Sequence, residues 1–115
     1  MGKRNRRRGQ VTAPTSDYAD PEGNVLTLRG SMSAATRREY ARLAGGSLSR
    51  EDAWQRAVEF LFERLATRWI VAGLPIERQR ELLGRYRLAS AEERRWIRDV
   101  LREHVAEHFP ELQAP

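Results

Sequence analysis

The sequence predicts a mainly α single domain: four helices, a short N-terminal strand or β-hairpin ahead of them, and a disordered basic arm at the start. Three observations carry this expectation. Between Ser49 and Gly73 the large side chains Trp54, Val58, Leu61, Phe62, Leu65, Trp69 and Ile70 recur at steps of three and four, which gathers them on one side of a helix. A second such stripe, Trp96, Ile97, Val100, Leu101, His104, Val105 and His108, follows Ser90 and Glu93 at capping-box spacing. Val25 to Arg29 alternates instead, with Leu26 and Leu28 on one face and Val25, Thr27 and Arg29 on the other, the period of a strand.

Taken in order, residues 1–16 hold Gly, Pro, Thr, Ser and a run of basic side chains with almost nothing apolar, the composition of a disordered arm. Asp20-Pro21-Glu22-Gly23 suits a type I turn before the strand; the sequence leaves open whether the residues around Tyr18 fold back to pair with it. Ser33 is placed to N-cap a helix through Ala44, with Tyr40, Leu43 and Ala44 inward and Gly45-Gly46 ending it. The central helix runs from an N-cap at Ser49, with Asp52 at capping-box spacing, to Gly73, and Pro75 follows its end. A third helix opens at Leu74-Pro75 and runs to about Leu88, weakened by Gly84, with Ile76, Gln79, Leu82, Leu83 and Tyr86 on one face. The fourth stops before Pro110. The domain is thus expected over 17–110, with 111–115 as a frayed tail. No internal repeat is present.

Composition narrows the function. With 115 residues there is enough chain for one core. The absence of cysteine excludes a disulfide framework and thiolate metal sites and fits a reducing compartment, so a cytoplasmic location is expected. No apolar run is long enough to span a membrane, and no apolar segment follows the basic start as a secretory signal requires. The formal charge of +5 equals the contribution of Lys3, Arg4, Arg6, Arg7 and Arg8, leaving a neutral body. Arginine dominance by itself fits a GC-rich genome, so single arginines carry little weight.

From Val25 to about Leu65 the chain resembles the ribbon-helix-helix family of DNA-binding dimers. The matching residues are Leu26 to Arg29, Tyr40-Ala41-Arg42-Leu43-Ala44, Gly45-Gly46, Ser49-Arg50, and Trp54, Ala57, Val58 and Leu61. The resemblance implies a homodimer whose paired strands enter the major groove, with Thr27 and Arg29 reading base edges and Ser49 and Arg50 holding a phosphate at a helix start. Three features depart from the family pattern: the long join Gly30-Ser31-Met32-Ser33, Thr36 where an apolar residue is usual, and a turn at Asp20 to Gly23 that leaves open a pairing of the strand within its own chain.

Independently of fold, the clustered guanidinium groups of GKRNRRRG neutralise phosphates and release counterions. A second basic stretch lies between Arg78 and Arg102, where Arg94, Arg98 and Arg102 recur every fourth residue along the last helix; beside Glu and Asp, such arginines are more often simply solvated. A helix-turn-helix in the last two helices lacks a small residue at the turn. His104-Val105-Ala106-Glu107-His108 spells H-x-x-E-H, but too little chain follows it to supply a third ligand and a cleft. There is no glycine-rich phosphate loop, and Trp54, Trp69 and Trp96 lie in core stripes.

The function expected is therefore a small non-enzymatic nucleic-acid-binding protein, with DNA favoured over RNA. Its arm Lys3, Arg4, Arg6, Arg7 and Arg8 contacts phosphates; Thr27, Arg29, Ser49 and Arg50 are the further contact residues. No catalytic residue, metal or cofactor is expected. The alternative is a protein-interaction module whose exposed apolar helix face, with Phe60 off the main stripe, binds a partner or a second copy.

Overall fold

The computed structural model describes residues 14–45 and 50–115. In chain order these form β1 (Thr15–Ala19), β2 (Val25–Arg29), α1 (Ala34–Ala44), α2 (Arg50–Leu65), β3 (Ala66–Val71), β4 (Leu74–Ile76), α3 (Gln79–Arg87) and α4 (Ala91–His108). The strands make one antiparallel sheet in the order β1-β2-β3-β4. This corrects the expected mainly α four-helix domain: a four-stranded sheet, built from two hairpins, shares the core with the four helices.

The first hairpin is fixed at its turn. The Gly23 N–H donates to the Asp20 carbonyl at 3.0 Å, and Gly23 sits at φ +88°, where a side chain is strained. The Asp20 carboxylate accepts from the backbone N–H groups of Glu22 and Asn24 at 2.8 and 2.9 Å. Asn24 then joins the two hairpins, its Oδ1 accepting from the Ala72 N–H at 2.9 Å. Residues around Tyr18 do fold back: Asp17 pairs with Thr27 and Tyr18 with Leu26. The strand therefore takes Thr15 and Ser16 out of the stretch expected as arm.

The larger correction concerns the central helix, which ends at Leu65 rather than Gly73. Ala66–Val71 is a strand, and Ala72 and Gly73, at φ +51° and +81°, make the reversal into β4. Two consecutive positive φ values match the twist that a two-residue hairpin requires. Thr67, Trp69, Ile70 and Val71 are β-branched or aromatic and favour the pleated conformation. Pro75, expected to open a helix, lies on edge strand β4 opposite Ile70, where its missing N–H costs no ladder bond. Pairing slips by one residue where Leu28 meets Ala66, leaving Thr67 as a bulge. The bulge lets Ala66 and Trp69, three residues apart, both point into the core.

The helices follow their caps. Ser33 Oγ accepts from the Thr36 N–H, and α1 ends at Gly45. Ser90 and Glu93 form the full capping box at the start of α4. We expect Ser90→Ala to destabilise the fold by about 1 kcal/mol, read as a lower urea midpoint with an unchanged slope. The expected cap at Ser49 lies outside the described residues, as does Gly46.

Leu26 and Leu28 from the sheet meet Leu61, Phe62 and Leu65 of α2 and Ile97, Leu101 and Val105 of α4, all fully buried. Phe60, expected off the packed face, is also buried and stacks on Tyr40 with ring centroids 6.3 Å apart. The last five residues, expected to fray, pack back on the domain. The Tyr40 hydroxyl donates to the Gln113 carbonyl, Arg102 Nε to that of Pro115 at 3.0 Å, and Leu112 and Ala114 lie on the core. Among the described residues no helix is long and apolar enough to cross a membrane.

Candidate nucleic-acid interface

The first turns of α2 and α4 run beside each other because both helices bury their inner faces, Ala53, Ala57 and Val58 on one and Ile97, Val100 and Leu101 on the other, in the same core. The side chains flanking those faces line a groove of about 640 Å³. Four arginines enter it, Arg56 from α2 and Arg94, Arg95 and Arg98 from α4, against two carboxylates, Asp52 and Glu59. Trp54 and Tyr86 supply aromatic surface.

The arginines differ in how they are held. The Arg98 guanidinium lies 4.2 Å from the Trp54 ring centroid, with Nη2 3.6 Å from Asp99 Oδ1, while its buried Nε has no hydrogen-bond partner. Arg94 stacks on Tyr86 at 5.3 Å and donates to the Arg87 carbonyl at 2.7 Å. Burial raises the Tyr86 hydroxyl above its ordinary range, so it stays protonated beneath that cation. Glu59 is engaged by Arg87 at 2.9 Å. Among the described residues Arg56, Arg94 and Arg95 have no carboxylate partner, whereas Arg37, Arg64, Arg68 and Arg85 are paired with Glu111, Glu39, Glu77 and Glu93. The arrangement is a concave surface on which arginines outnumber carboxylates four to two.

The residues singled out from sequence are distributed differently. Lys3, Arg4, Arg6, Arg7, Arg8 and Ser49 lie outside the described residues; Arg50 opens α2, two positions before Asp52 at the groove. Thr27 sits mid-strand on the outer face, its Oγ1 donating to Asp17 Oδ1 at 2.7 Å. The Arg29 side chain is exposed at the end of β2 and lines a separate polar cavity of about 490 Å³ with Ser31, Ser33 and Thr36. Both edges of β2 are taken, by β1 and by β3, so this strand has no free edge for a second chain. Of the arginine stripe on α4, Arg94 and Arg98 share the groove while Arg102 turns to the Pro115 carbonyl. The H-x-x-E-H histidines face β1, and both ring nitrogens of His104 already have hydrogen-bond partners.

Sequence reasoning missed Arg56, took in Arg95 only as part of the basic stretch from Arg78 to Arg102, and read Trp54 as core. The adjacent pair Arg94-Arg95 was visible; the meeting of Arg94, Arg95 and Arg98 with Arg56, some forty residues earlier, depends on tertiary packing and left no local signal.

Comparison with protein-family models, with curated proteins and with solved structures finds no match to this chain. The functional reading therefore rests on the groove and on the charge distribution.

Proposed function

We propose that this chain is a small non-enzymatic nucleic-acid-binding protein that holds the phosphate backbone in the α2–α4 groove and through Lys3, Arg4, Arg6, Arg7 and Arg8, with DNA as its first polymer. The observation that supports this most is the groove's excess of positive charge: four arginines, Arg56, Arg94, Arg95 and Arg98, line it against the carboxylates of Asp52 and Glu59, and Glu59 is engaged by Arg87. The exposed guanidinium groups of Arg94 and Arg95 can each give a phosphate oxygen a charge-assisted hydrogen bond. Arginine stacked on an aromatic ring is held in place without neutralising its charge. Affinity built this way is largely independent of base sequence.

Binding of a labelled duplex, followed by anisotropy with and without residues 1–9, tests the reading. Deletion is expected to weaken binding and to make the plot of log K against log salt shallower by about 0.9 for each phosphate that the shortened chain no longer neutralises. Equal affinity and slope for both forms would remove the arm from the account.

The alternative, a protein partner on an exposed apolar helix face, has less support. Phe60 is packed on Tyr40, and the large exposed apolar residues among those described are Leu74 and Leu88, one in a hairpin and one at a helix end.

A further inference from the structure

The chain has two histidines, and both face β1 from the last turns of α4, with ring centroids 4.4 Å apart. His104 is fully buried. Its Nε2 lies 2.8 Å from the Arg29 carbonyl oxygen, an atom that only accepts, so the ring proton is on Nε2 and Nδ1 presents a lone pair. The Tyr18 hydroxyl, 2.8 Å from Nδ1, therefore donates. Two residues earlier on the same face of β1, Ser16 Oγ is 3.3 Å from His108 Nε2. Gly30 allows this closeness: a Cβ there would sit 3.2 Å from His108 Nδ1 and 3.0 Å from the Pro14 oxygen. Its N–H holds that same Pro14 carbonyl at 2.7 Å. Edge strand β1 is thus fastened to α4.

We propose that Ser16, Tyr18, His104 and His108 form a proton-operated latch on β1, closed while His104 is neutral and opened when it takes a proton. A proton on Nδ1 removes the acceptor for Tyr18 and places a buried cation beside His108. The groups facing it are His108 and Glu107 on α4, Tyr18 and Ser16 on β1 and the Arg29 carbonyl on β2, while Glu103 on α4 acts on Tyr18. From α1, Arg37 stacks at 5.1 Å on the Phe109 ring that flanks His104. Burial holds His104 below the ordinary imidazole range, helped by His108 and opposed by the Arg29 carbonyl and Glu107. Burial likewise raises Tyr18, which stays a proton donor.

The sign follows from linkage. Above the ordinary histidine pKa of about 6.5 the ring is neutral whether β1 is docked or released. Below it the released form binds a proton that the docked form refuses, so docking weakens with falling pH until the docked ring itself titrates.

Amide hydrogen exchange on the full chain from about pH 7.5 to about pH 5, corrected for intrinsic rates, tests the latch. Protection of the β1 amides is expected to fall by up to about tenfold per pH unit below about 6.5 while α2 and β3 amides keep theirs. His104→Gln, which keeps a donor and an acceptor but does not titrate, is expected to flatten the profile. A native β1 profile that is flat, one that falls in step with α2 and β3, or a native slope retained in His104→Gln would each overturn the proposal. Should His104→Gln fail to fold, Tyr18→Phe is read instead: reduced β1 protection already at about pH 7.5 supports the latch, and native protection there overturns it.

Discussion

Phe62→Ala is expected to lower the unfolding free energy by about 3–5 kcal/mol, the largest stability loss anticipated for a single truncation here. Phe62 is fully buried on α2. Its ring stacks on Tyr86 of α3 at 4.9 Å and meets Trp69 of β3 edge-on at 5.7 Å. It therefore joins the second hairpin and the short third helix to the buried face of α2. Removing it opens a cavity bounded by two rigid rings that cannot collapse into it, so the cavity cost adds to the forfeited transfer energy. Domains of this size have about 5–15 kcal/mol in all. Urea unfolding of the variant measures the loss directly; a change under about 1 kcal/mol would contradict the placement of Phe62 between those rings. Tyr86 also supports Arg94, so a variant that still folds is expected to bind nucleic acid more weakly as well.

Arg94→Glu combined with Arg95→Glu is expected to weaken duplex binding on the order of 10- to 100-fold at low salt and to make the salt slope about two units shallower. Both side chains are exposed, so the fold is expected to tolerate the pair within about 1 kcal/mol. The matched control is Arg38→Glu with Arg42→Glu, exposed on α1. It changes net charge equally but lies outside the groove. Equal weakening by the two pairs would mean that only overall charge matters; weakening confined to Arg94 and Arg95 places the phosphate between α2 and α4.

Much of the local structure was written in the chain. Ser33 and Ser90 cap as their spacing requires, Gly23 takes the positive φ its turn needs, and Leu26 and Leu28 point inward by alternation. The stretch 66–76 was misread for a physical reason. Trp69 stands four residues after Leu65, so it extends the helical stripe as well as it fits the inward row of a strand. Gly73 and Pro75 resemble a helix end as much as a hairpin. The turn itself, Ala72-Gly73, lacks the Asn or Asp that usually marks such a reversal, and alanine at φ +51° is not anticipated from propensity. The second hairpin, β3 and β4, was missed through that single misreading.

The site was less legible. Arg94 and Arg98 were visible as a stripe, but the stripe continued to Arg102, which the folded tail claims through the Pro115 carbonyl. Whether an arginine meets a carboxylate is decided by partners distant in the chain, as with Arg37 and Glu111 or Arg87 and Glu59. His104 offered the opposite lesson: a metal-like spacing whose ring nitrogens serve the backbone of β2 and a tyrosine of β1.

A salt titration of duplex binding by the full chain tests the central claim most directly. With cations from both the arm and the groove engaged, log K is expected to fall linearly with log salt at a slope steeper than about −4, with little change when the base sequence is scrambled. A slope near zero, or no binding even at the lowest salt, would contradict the account.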